Sequence, residues 1–117
     1  MTIKEVSETY GISADTLRYY ERIGLLPPVP RRANGIRDFD RESCNWVEFI
    51  KCMRSAGVQI EALIEYIKLY HQEGTAAARR EILVEQRARL QEQMKTLQNT
   101  IDRLNHKIEM YDLNMIK

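Results

Sequence analysis

Arg18, Tyr19 and Arg22 lie close together in the stretch SADTLRYYERIGLL that runs from Ser13 to Leu26, with Asp15 and Thr16 just ahead of them. If the stretch is helical, Leu17, Tyr20 and Ile23 fall three apart and face a core, leaving the polar residues on the opposite side. Two guanidinium groups, a phenol and a hydroxyl on one exposed face suit the phosphate oxygens and base edges of a DNA groove. An ordinary solvated face would use the same residue types, so the neighbouring elements have to decide. A second chemistry resides in the two cysteines, Cys44 and Cys52. Eight residues of helix separate them by about 12 Å of rise, too far for a disulfide within one straight helix. His71 and His106 are the only histidines, and no cysteine follows residue 52. Too few soft ligands can converge for a metal site, so neither a metal nor a cofactor is expected. No phosphate loop, cleft-forming sheet or paired acid–base constellation suggests an enzyme.

Bulk composition adds little in favour of nucleic acid. The 117 residues carry a net charge of +1. Residues 1–57 hold nine Lys/Arg against eight Asp/Glu, and residues 58–117 hold nine against nine. A DNA argument must therefore rest on local placement. A hydrophobic content of 44% with 30% charged residues is that of a globular chain. There is no run of about 18 apolar residues and no export signal, and two cysteines do not make a secreted framework. The reducing cytoplasm is the expected compartment.

The elements that must position these residues are mostly short helices. Thr2 can cap a first helix through Thr9, with Glu5 at the capping-box position and Ile3 and Val6 facing inward. Tyr10-Gly11-Ile12 turns the chain into the helix that Ser13 caps, Asp15 suiting its first turn. Gly24 ends that helix, and Pro27 and Pro28 forbid its resumption. Two short helices around a glycine-containing turn read as a helix-turn-helix. Asn34-Gly35 then predicts a type I′ hairpin over residues 31–39, a small β-ribbon or wing beside the helices. Residues 31–41 hold four arginines against two aspartates. Asp40 caps a third helix, Arg41 to Ala56, closed by Gly57. Its arc of Trp46, Val47, Phe49, Ile50 and Met53 places Trp46 in the core. A fourth helix spans about Gln59 to His71.

From about Ala76 the pattern becomes a seam. Leu83, Leu90, Leu97, Leu104 and Tyr111 recur every seven residues, with Met94, Ile101, Ile108 and Met115 interleaved and Arg87 the one misfit. This is a coiled-coil heptad whose leucine and isoleucine choices suit two strands. A helix from Ala78 to Tyr111 is roughly 50 Å long at 1.5 Å per residue, more than a small domain can cover. A homodimer follows. The expected organisation is a DNA-binding domain over residues 1–72 and a dimerisation helix over residues 76–117.

Taken together these features resemble the mercury-resistance-regulator (MerR) family over the whole length. The resemblance rests on Thr2-Ile3-x-Glu5-Val6, on Thr16-Leu17-Arg18-Tyr19-Tyr20-Glu21 with Ile23-Gly24-Leu25, on Gly35-x-Arg37-x-Phe39, and on the terminal helix. The segments from Trp46 to Gly57 and from Ile60 to Tyr66 are similar to the aldehyde-responsive branch of that family. The resemblance implies a mainly α fold: a winged helix-turn-helix followed by a long helix that dimerises as an antiparallel coiled coil. It implies a transcription regulator that binds a palindromic promoter element in an overlong spacer and distorts it for RNA polymerase. Arg18 and Tyr19 would reach bases and phosphates, and Tyr20 would position the backbone. Arg37 and Arg54 would clamp phosphates, Thr2 would offer a helix N-terminus, and Thr16 would be a further base contact.

The resemblance also points to Cys52 as a sensor of aldehydes or other electrophiles, with Lys51 and Arg54 as thiolate partners. Helix electrostatics instead favour negative charge at Cys44, in the first turns of its helix. A plain buried role for Cys52 stays open. So do a non-covalent effector and a coiled-coil adaptor that uses its N-terminal domain to bind protein.

Overall fold

A computed structural model describes residues 1–114. It places α1 at Ile3–Tyr10, α2 at Ala14–Arg22, α3 at Arg41–Ser55, α4 at Ile60–Tyr70 and α5 at Ala76–Asp112. The chain divides into two compact units, residues 1–86 and the residues from Arg87 onward. No helix among the described residues is long and apolar enough to cross a membrane.

The helix ends follow from side chains that satisfy the exposed backbone groups. Thr2 and Glu5 form the capping box of α1, the Thr2 N–H donating to Glu5 Oε1 at 2.9 Å and the Glu5 N–H to Thr2 Oγ1 at 3.1 Å. Ser13 accepts from the Thr16 N–H at the start of α2, and Asp40 accepts from the Ser43 N–H at the start of α3. The other ends of α2 and α3 share one device. Gly24 and Gly57 adopt φ of 83° and 89°, conformations a side chain disfavours. The Leu25 N–H reaches back to the Tyr20 carbonyl and the Val58 N–H to the Met53 carbonyl, as in a Schellman motif. Leu25 and Val58, the apolar residues that follow, are buried.

The core of the first unit lies where α1 packs on α2 and α3. Val6, Leu17, Leu25, Leu26, Phe39, Val47 and Ile50 are almost completely covered. Trp46 is only half-buried. It belongs to an aromatic cluster between α3 and α4, edge-on to Phe49 at 5.8 Å and to Tyr70 at 4.9 Å, with Tyr66 completing the group. Tyr20, expected to face inward, is likewise half-buried. The first turns of α5 join this unit through paired amides. Gln86 Nε2 donates to Gln59 Oε1, and the Gln59 N–H donates to Gln86 Oε1, each at 3.2 Å.

The expected β-ribbon is not formed. Residues 31–39 carry a single antiparallel bridge, Arg31 to Arg37, and no strand is present among the described residues. The turn also differs from type I′, which needs positive φ at both central residues. Gly35 has φ of 83°, whereas Asn34 is not among the positive-φ residues. The Gly35 N–H donates to the Arg32 carbonyl and the Arg32 N–H to the Ile36 carbonyl, both at 2.8 Å. That is a three-residue loop with glycine in the left-handed position, which Asn-Gly serves equally well. Asn34 Oδ1 takes the Ile36 N–H instead of the turn taking Asn34 left-handed.

In the second unit Met94, Leu97, Ile101, Leu104, Ile108 and Tyr111 are all exposed, with relative exposures from 47% to 66%. Within the first unit Leu83 is exposed at 42%, and beyond it Leu90 is half-buried. Met115, the last residue assigned to the seam, lies outside the described residues.

Candidate nucleic-acid interface

Leu17 anchors α2 by its apolar side, being 1% exposed, and this turns Arg18, Tyr19 and Arg22 outward. Arg18 Nη1 donates to Asp15 Oδ1 at 2.9 Å, an i,i+3 pair in which both side chains are largely exposed. Such a pair contributes at most about 1 kcal/mol in water, so Arg18 can exchange its aspartate for a base edge or phosphate cheaply. The Arg22 guanidinium lies over the Tyr19 ring, 5.3 Å from its centroid, which fixes both side chains without using their hydrogen-bonding groups on each other. Thr16 accepts a hydrogen bond from the Ser13 hydroxyl at 2.8 Å, so its oxygen already serves the cap. Tyr20 stands behind this face with its ring 6.4 Å from that of Tyr19, and its carbonyl accepts from the Leu25 and Leu26 N–H groups. It holds the end of the helix.

The loop that follows brings a third arginine to α2. Arg37 Nε donates to Glu21 Oε1 at 2.8 Å in an ion pair whose side chains are 22% and 15% exposed. Glu21 Oε2 accepts the Val29 N–H at 2.6 Å. One carboxylate thus ties α2 to the chain on both sides of the loop. Sequence reasoning gave Glu21 no role, because Arg37 lies sixteen residues away and no local periodicity pairs them. Spacing places Arg22 on the outward face but gives it no individual contact. Elsewhere in the loop, Arg31 Nη1 donates to the Gly35 carbonyl, and Arg32 sits 3.7 Å from Asp38, whose carboxylate also takes the Met1 amino group.

Two expected phosphate contacts are already engaged within the fold. Arg54 Nη1 donates to the Val58 carbonyl at 2.7 Å and stabilises the turn after α3. At the N-terminus of α1, hydrogen bonds from Thr2, chiefly from its backbone N–H, hold the Glu5 carboxyl below its usual range. The dipole end where a phosphate was expected therefore faces a carboxylate of the chain itself. Asp40 is lowered in the same way by the Ser43 N–H at the start of α3.

The two thiols occupy different surroundings. Cys52 is exposed. Of its expected partners, Arg54 is bonded to Val58, and Lys51 Nζ lies close to the α1–α2 turn at Gly11. Cys44 is half-buried, 3.8 Å from Met1 Sδ and 4.0 Å from the Phe39 carbonyl. Tyr10 lies beside it; burial, followed by the neighbouring Cys44 and Glu48, pushes the phenol above its ordinary value. No cluster of three or more His, Cys, Asp or Glu that could hold a metal occurs among the described residues.

Two helices around a tight turn, an arginine-bearing exposed face on the second, and a loop tied back to that helix define a helix-turn-helix protein. The chain belongs to the MerR family of helix-turn-helix regulatory proteins, whose pattern it matches over residues 1–70; the MerR DNA-binding segment matches over residues 45–107. It is 55% identical to the HTH-type transcriptional regulator AdhR of Bacillus subtilis over 91 residues, which are 77% of this chain and 65% of AdhR. It thus spans just under two thirds of AdhR's own length. A crystal structure of a chain from Listeria monocytogenes, described as a MerR family transcriptional regulator, superposes with a TM-score of 0.92 at 49% identity. That likeness covers 96% of this chain and 86% of the other. The crystal structure of HiNmlR, a MerR family regulator lacking the sensor domain and bound to promoter DNA, gives a TM-score of 0.83. Identity there is 28%, over 95% of this chain and 89% of that one.

Proposed function

We propose that this protein is a DNA-binding transcription regulator that presents the outer face of α2 to the major groove of a promoter. The observation that carries the reading is the held array of Arg18, Tyr19 and Arg22 on that face, with Arg37 tied to the same helix. The likeness to a family member bound to promoter DNA supports it. Arg18 and Tyr19 read bases or phosphates, Tyr20 braces the helix end, and Arg37 meets the backbone. Thr2, Thr16 and Arg54 support the elements around this face and approach DNA from its edges. The active species is a homodimer joined through the seam from Leu83 to Tyr111. Residues 1–72 form the DNA-binding part and residues 76–117 the dimerisation part. The dimer binds a palindromic element and alters the spacer geometry that RNA polymerase meets, so control is exerted through DNA deformation.

The regulator responds to aldehydes or other thiol-reactive electrophiles through Cys52. Its exposure, against the half-buried Cys44, supports that choice, as does the likeness to AdhR.

The test is a fluorescence titration, at fixed salt, of a duplex carrying the region upstream of the protein's own gene. Arg18→Ala is expected to weaken binding by about 1–3 kcal/mol, the size of one lost base contact, with melting and dimerisation unchanged. Unaltered affinity would remove Arg18 from recognition, and failure of the wild type to bind would favour the adaptor reading.

A further inference from the structure

A carboxylate in the last turn of a helix opposes the macrodipole, and one on a DNA-facing surface opposes the phosphates. Glu21 is in the first position, at the penultimate residue of α2, and borders the second, one helical turn beyond the buried Leu17. Its two oxygens are nonetheless fully committed, one to the Val29 N–H at 2.6 Å and the other to Arg37 Nε at 2.8 Å. The side chain is 15% exposed, so water screens this ion pair far less than the exposed Asp15–Arg18 pair. The geometry of the bond to Arg37 matters. Nε lies on one edge of the guanidinium plane, and the two Nη groups form the remaining fork. Holding Nε fixes the plane and leaves that fork for a bidentate partner, the arrangement best matched by a phosphate.

We propose that Glu21 is a positioning residue for DNA binding: it holds Arg37 by Nε so that its Nη fork meets a backbone phosphate. The inference rests on the DNA-binding reading above and gives Arg37 its mechanism. It also makes a prediction whose sign is opposite to that of simple electrostatics. Removing a negative charge beside a DNA-facing surface should tighten binding. Removing the residue that aims Arg37 should loosen it.

The experiment measures affinity of the full chain for the upstream duplex between about 50 and 200 mM salt, for wild type, Glu21→Gln, Arg37→Ala and the double variant. Glutamine keeps an acceptor for the Val29 N–H and loses the charge. Glu21→Gln is expected to bind about 5- to 10-fold more weakly and to lower the salt slope by about 1 per protomer, as one phosphate contact does. Arg37→Ala should do the same, and the double variant should be no worse than Arg37→Ala. If melting shows that Glu21→Gln disorders the fold, Glu21→Asp takes its place. It keeps the charge, withdraws the carboxylate by one methylene, and should still weaken binding. Equal binding by the Glu21 variant overturns the proposal, and so does tighter binding, which would mean that Glu21 and DNA compete for Arg37. Weaker binding with an unchanged slope that persists in the Arg37→Ala background overturns it too, leaving Glu21 as a brace of the loop alone. Failure of the wild type to bind the duplex rejects the DNA-binding reading itself, and the proposal with it.

Discussion

Cys44 and Cys52 stand on one helix, yet their surroundings separate their chemistry. Cys44 is enclosed by Met1, the Phe39 carbonyl and Tyr10, whereas Cys52 is open to solvent near the end of α3. A thiol must be reached by an electrophile before its nucleophilicity matters, so exposure outweighs the helix dipole that favours charge at Cys44. Cys52→Ser is expected to keep promoter binding and lose induction by formaldehyde, methylglyoxal or quinones, because a neutral alcohol is a poor nucleophile. Cys44→Ser should respond as wild type does. A promoter-reporter assay distinguishes the two: induction that survives in Cys52→Ser and vanishes in Cys44→Ser would place the sensor at the other thiol. Sequence spacing identified Arg18, Tyr19 and Arg22 as an outward face because helical periodicity is local. It could not assign Glu21, whose partners Val29 and Arg37 come to it only after the chain has turned back. Nor does anything in the spacing announce the hydrogen bond from Arg54 Nη1 to the Val58 carbonyl, which engages one of its donors.

At the scale of elements, caps and glycines determine where the helices lie. Ser13 and Asp40 start α2 and α3, and Gly24 and Gly57 let the chain reverse after them with buried Leu25 and Val58 covering the exits. These signals are short-range and were legible. The loop at residues 31–39 was not, because Asn-Gly serves two turn geometries that differ only in whether Asn34 is left-handed. The Asn34 side chain bonds the Ile36 N–H in the geometry adopted here, and the paired strands do not develop. Gly24 offers a test of the helix exit. A Cβ there would have its nearest neighbour, Ile64 Cγ2, at 4.0 Å, so space is not the obstacle. The cost of Gly24→Ala is conformational, since φ is 83°, and should be about 1–2 kcal/mol. The denaturation midpoint should fall with an unchanged m-value. An unaltered midpoint would mean the exit is not strained by a side chain. A loss well above that range would mean that the shift propagates into α4.

For the molecule as a whole, the question is what covers the apolar row on α5. Leu97 and Ile101 are 62% and 47% exposed, and Met94, Leu104, Ile108 and Tyr111 continue the row. A run of this kind marks an interaction surface, and its seven-residue period fits the proposal that another helix of the same pattern covers it. The row itself was legible from the spacing. The direction of the partner was not, because a heptad is compatible with parallel and antiparallel pairing, and only the family resemblance favours the antiparallel one. Leu97→Asp combined with Ile101→Asp would bury charges without partners in a seam that has no other core, and desolvation then outweighs association. Sedimentation velocity should report monomers where wild type gives dimers. Asn99→Glu, a new charge on the side of α5 opposite the row, should leave the dimer intact. The monomer should also lose DNA affinity and about half the salt slope, since one protomer brings half the phosphate contacts. A dimer that survives both substitutions would mean the copies join elsewhere, and the exposed row would then have to serve a different protein.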